Sequence, residues 1–127
     1  MAISSAGNDP FDRLAALARS YVRYGIESRG CYRLMFGEHM IELAEFEEVV
    51  AAGRPTRQLL QQIVAECVPS DDEYAQTVEH TAWSLVHGVT SLLTENEIRF
   101  GPDTSKAEKL INDSIRMLIS GIRAELA

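Results

Sequence analysis

The 127 residues carry 12 Lys and Arg against 19 Asp and Glu, a formal net charge of −7 at pH 7, so the chain lacks the clustered positive charge that holds a phosphate backbone directly. With 46% hydrophobic and 24% charged residues it has the composition of one domain with a core of its own. No apolar run approaches the roughly 18 residues that span a bilayer, so neither a membrane nor a nucleic acid is an expected direct partner, and a cytoplasmic location is expected.

Residues 1–8 have neither the charged start nor the apolar centre of a signal peptide and read as a flexible lead. Asp9-Pro10 then opens a helix, with proline at the first helical position and Asp12 in the first turn. Phe11, Leu14, Ala15, Ala18, Tyr21, Val22 and Gly25 share one face, leaving Arg13, Arg19 and Arg23 for water or salt links until Arg29-Gly30 ends the helix. Tyr32-Arg33-Leu34-Met35-Phe36 is dense enough in apolar side chains to face inward. The acidic stretch 38–48 continues as a helix with a solvated face, until Gly53-Arg54-Pro55 breaks it and Pro55 opens the next. Leu59, Leu60, Ile63, Val64 and Cys67 are the inward side of that next helix.

The segment 72–97 carries the most information. Ala75, Val78, Ala82, Leu85, Val86, Val89, Leu92 and Leu93 follow the rhythm of an amphipathic helix, with Asp72 as its cap. A second stripe, Thr77, Thr81, Ser84, Gly88 and Ser91, contains nothing larger than threonine, so another backbone can approach there. A mid-helix glycine costs about 1 kcal/mol relative to alanine, and close packing at Gly88 is one way to offset it. A third line, Gln76, His80, Trp83, His87 and Thr90, mixes aromatic and polar groups as a pocket wall does. After a turn over 99–103, Thr104 or Ser105 caps a last helix running almost to Ala127. Its apolar and small residues, among them Ser114, Leu118, Gly121 and Ile122, cover more than half its circumference, which calls for a second partner such as another copy of the chain. The expected architecture is all-α, a bundle of about five to six helices.

Little in the sequence suggests catalysis. Cys31 and Cys67 are too few and too scattered for a disulfide framework or a zinc site, and are expected as reduced thiols. His80 and His87 lie about 10.5 Å apart along a helix axis and cannot chelate one ion together. Glu38, His39 and Glu42 are spaced as ligands but suit a solvated helix better. The residues three before the histidines are Phe36, Thr77 and Ser84, which excludes the Glu-x-x-His pair of di-iron bundles. No phosphate loop or nucleophile elbow occurs. Neither an enzyme, a metal nor a cofactor is expected.

Tyr21-Val22-Arg23-Tyr24, Tyr32-Arg33-Leu34-Met35-Phe36, Trp83-x-x-x-His87-Gly88 and a glycine-containing terminal helix together resemble the C-terminal regulatory domain of TetR-type transcriptional regulators. The resemblance covers about residues 10 to 127 and is particularly to the subgroup marked by Trp and His-Gly in the penultimate helix. The resemblance implies a homodimer built on the last two long helices as a four-helix interface. Thr81, Ser84, Gly88, Ser91 and Leu92 would face Ser114, Leu118, Gly121 and Ile122. It also implies a cavity for a small apolar or aromatic effector, lined by Tyr24, Met35, Phe36, Met40, Leu60, Val64, Trp83 and His87. The helix-turn-helix that would read DNA in such a regulator is expected to be absent from these residues. A standalone small-molecule-binding protein and a pure dimerisation module are the competing readings.

Overall fold

The computed structural model describes residues 9–27, 47–69, 71–95, 98–101 and 104–127, with backbone alone over 47–54. Four helices occupy them: α1 (Pro10–Glu27), α2 (Glu47–Cys67), α3 (Asp72–Thr94) and α4 (Thr104–Leu126). The all-α expectation holds, and no strand occurs among the described residues. The aromatic and methionine-rich piece around Tyr32 and Met35, together with Cys31, Glu38 and His39, lies outside them.

Local chemistry sets the helix ends. The Asp9 carboxylate accepts the Phe11 N–H at 2.9 Å, which satisfies a first-turn donor of α1. At α3 the cap is Asp71 rather than Asp72: its extended backbone (φ −147°, ψ 95°) lets its carboxylate accept the Tyr74 N–H. Asp72 and Glu73 then sit in the first turn, against the positive end of the helix dipole. Thr104, expected as a cap, is already the first residue of α4. The turn before it uses Gly101 at φ 72°, a left-handed conformation that costs glycine little.

At Pro55 the fold departs from the sequence reading. Instead of one helix ending and another beginning, α2 runs unbroken through Gly53 and Pro55. The proline removes a single N–H bond, to the Ala51 carbonyl, and the turns on either side remain closed. The C-terminal half of α2 is fixed by packing, since Ile63 and Val64 are almost wholly inaccessible.

The four helices bury two stacked clusters. In one, Leu14 and Leu17 of α1 meet Ile63, Val64 and Cys67 of α2, Val78 of α3 and Ile122 of α4. In the other, Ala18 and Val22 meet Val86, Ile111 and Ile115. Each large aliphatic side chain in these layers contributes about 1.5–3 kcal/mol. Polar links give the register. Asp9, at the start of α1, and Arg19 and Arg23 on it reach Arg123, Asn112 and Glu108 on α4 respectively, so the two run antiparallel. Arg57 and Gln61 on α2 both reach Glu79 on α3, and Arg13 of α1 pairs with Glu66 of α2 at 2.7 Å.

Candidate functional site

The polar groups of the bundle converge where α2 crosses α3. Glu79 is buried, and its Oε1 accepts the Gln61 Nε2–H at 3.1 Å and lies 3.8 Å from Arg57 Nε. One turn further along α3, the Arg57 guanidinium lies over the Trp83 ring, 4.7 Å from its centroid. Beside this group a cleft of about 420 Å³ opens between the two helices, lined by Gln61, Val64, Asp72, Glu73, Ala75, Gln76 and Glu79. It is a shallow cleft, more open to solvent than enclosed.

A second polar pair joins α1 to α3. The Tyr21 hydroxyl and His87 Nδ1 are 3.5 Å apart, and burial holds His87 below the usual imidazole pKa of 6.5. The neutral form is therefore favoured at neutral pH. One turn on, the Thr90 hydroxyl is fully buried and donates to the Val86 carbonyl at 2.6 Å. Cys67 is a free, buried thiol, raised to about 11 by burial and by Asp9 and Glu66, so it is a poor nucleophile. No group of three His, Cys, Asp or Glu able to hold a metal occurs among the described residues.

The outer side of α3 and α4 is different. Thr81 and Ser84 are exposed, Gly88, Ser91 and Ser114 are half-buried, and Leu92 and Met117 are 42% and 66% exposed. A Cβ built at Gly88 or Gly121 would meet nothing within 4 Å. Among the described residues both glycines therefore open onto free space, and no described neighbour explains either. Residues 14–118 match the family described as Tetracyclin repressor-like, C-terminal domain.

The chain belongs to that family.

No curated protein and no solved structure matches it. Membership in the TetR C-terminal family makes it a regulatory domain, not an enzyme. No helix among the described residues is long and apolar enough to cross a membrane.

Against this TetR-like frame the line of residues 76, 80, 83, 87 and 90 divides. Gln76 lines the cleft, His80 is exposed, Trp83 and His87 are half-buried, and Thr90 is inside the helix packing. Tyr24 is 51% exposed at the far end of α1, and Leu60 packs on the first core cluster. Val64 is a core residue with an edge on the cleft. Met35, Phe36 and Met40 lie outside the described residues. Ile122 is buried against Leu14 and Ile63 in its own chain, so it is not on the open face of α4. Leu118 is half-buried there, whereas Gly121 is exposed. The sequence reading passed over Arg57, Gln61 and Glu79. Glu79 carries a usable signal: it falls within the apolar series Ala75, Val78, Ala82 and Val86, where a carboxylate must have partners.

Proposed function

We propose that this chain is the effector-sensing and self-associating domain of a cytoplasmic TetR-type regulator. A small apolar or aromatic molecule would control DNA binding by a helix-turn-helix outside these residues. The observation that carries this reading is the family match over residues 14–118. The Trp83-x-x-x-His87-Gly88 element supports assignment to the subgroup with that motif.

The effector chamber lies against α2 and α3, with Leu60, Val64, Trp83 and His87 contributing from the described helices, while Tyr24, Met35, Phe36 and Met40 keep the ligand-contacting role that the family resemblance implies. Its mouth is the cleft beside Glu79. Homodimerisation uses the outer faces of α3 and α4, where Leu92 and Met117 stand exposed beside the two open glycines. Met117 takes the place on this face that the sequence pattern gives to Ile122. Effector binding acts by population shift, favouring one relative placement of the two readers over another.

Native mass spectrometry of the purified chain tests both halves. A dimer carrying extra small-molecule mass is the expected result. A strictly monomeric, empty chain across micromolar concentrations would overturn the reading.

A further inference from the structure

We propose that the Trp83 ring face and the Glu79 carboxylate form a binding site for an organic cation, occupied in this structure by the chain's own Arg57. The inference rests on the effector-binding reading and names the chemical class of the effector. An indole face and a carboxylate on adjacent turns supply the two attractions a desolvated cation needs: the ring quadrupole and an opposite charge. Both already act on a cation here, with Arg57 Cζ 4.7 Å from the Trp83 centroid and Arg57 Nε 3.8 Å from Glu79 Oε1. Glu79 is buried while Arg57 is not: the arginine side chain is 52% exposed against 9% for the glutamate. Arg57 can therefore swing into water at little cost, whereas the carboxylate stays in place, held by Gln61.

The way in is also built for positive charge. The cleft reaches Glu79 and carries Asp72 and Glu73 on its rim, with no lysine or arginine among its described lining residues. The field at the mouth thus draws cations inward, as does the net charge of −7. A quaternary ammonium or an alkylated guanidinium would displace Arg57 from both partners and place its apolar substituents along Val64 and Ala75. Arg57 then acts as an internal competitor that sets the affinity threshold.

Trp83 is the only tryptophan, so its single indole N–H resonance reports on this site alone. The full chain is titrated, at constant ionic strength, with choline and with its uncharged isostere, in which a tert-butyl group replaces the trimethylammonium. Choline is expected to shift the indole resonance saturably and to bind about threefold to thirtyfold tighter than the isostere. Arg57→Ala is expected to tighten choline binding about threefold by removing the competitor. Glu79→Gln should weaken it about tenfold while leaving the isostere unchanged. Should Glu79→Gln fail to fold, the surface variant Arg57→Ala still decides: unchanged or weaker choline binding overturns the proposal. Equal binding of choline and isostere also overturns it, yet leaves an uncharged effector and the regulatory reading standing. Silence from both probes sinks the cation site alone, because the regulatory reading fails separately, on a monomeric and empty chain in native mass spectrometry.

Discussion

Two titratable side chains show how burial sets reactivity in this bundle. Cys67 is held up to about 11 because its thiolate would sit in the core layer beside Asp9 and Glu66. In a Cys31→Ser background, a disulfide reagent near pH 8 should leave the native chain unlabelled and react fully once urea unfolds it. Rapid native labelling would place Cys67 outside the core. His87 is displaced in the opposite direction, below 6.5, by desolvation of its charged form. As pH falls through 6.5 the unfolded chain takes up the proton first, so native stability is fully present above that value, declines below it, and levels off under the lower native pKa. The urea midpoint of the native sequence should therefore drop more between about pH 7.5 and about pH 5.5 than that of His87→Gln. Equal slopes would remove His87 from the half-buried position described here. Trp83 and His87 were legible as residues of interest because aromatic and polar groups recur at helical spacing. Arg57 was not, since its role depends on α2 crossing α3, a contact 26 residues distant in the chain. Glu79 could have been found as an acid within an apolar stripe.

Helix existence was readable from the apolar rhythm, and helix ends less so. Asp71 and Asp72 offer the same capping chemistry, and only the extended backbone of Asp71 separates them. Thr104 likewise has a capping side chain but helical geometry. At Pro55, local propensity points to a helix start while tertiary packing beyond it carries the helix through. The two descriptions differ in a measurable way. With Pro55 inside a continuous helix, Pro55→Ala restores an N–H bond and relieves a ring clash, and should raise stability to urea by about 1–3 kcal/mol. With Pro55 at a first helical position the same change would be neutral or slightly destabilising. A midpoint that fails to rise would break the continuous α2.

For the whole molecule, the open face of α3 and α4 is the feature that packing among the described residues does not explain. Gly88 has free space beyond its Cα among the described residues, so alanine there meets no clash with them and gains helix propensity of up to about 1 kcal/mol. If the face joins two copies, Gly88→Leu should raise the dimer dissociation constant while thermal unfolding of the monomer is unchanged or improved. Sedimentation at several concentrations reads the first quantity, and a Gly88→Leu chain that dimerises normally would reject this surface. The sequence exposed this face through its small residues, but could not assign Ile122. The helical stripe permits that side chain either side, and packing against Leu14 and Ile63 decides for the core.

The meeting of Asp9, Phe11 and Arg123 has a mechanical consequence. Arg123 holds the Asp9 carboxylate at 3.4 Å and covers the Phe11 ring at 4.7 Å, so the start of α1 and the last turns of α4 form one knot at a single end of the bundle. A pull applied at residues 9 and 127 would act across that knot, peeling the antiparallel helices apart rung by rung: Arg123 first, then Asn112, then Glu108. Rupture in such a geometry is sequential and occurs at low force, unlike the abrupt failure of helices loaded in shear. In an optical trap, Arg123→Ala should shorten only the first step of the extension trace. Tension reaching the domain through its first helix would thus be met by its last.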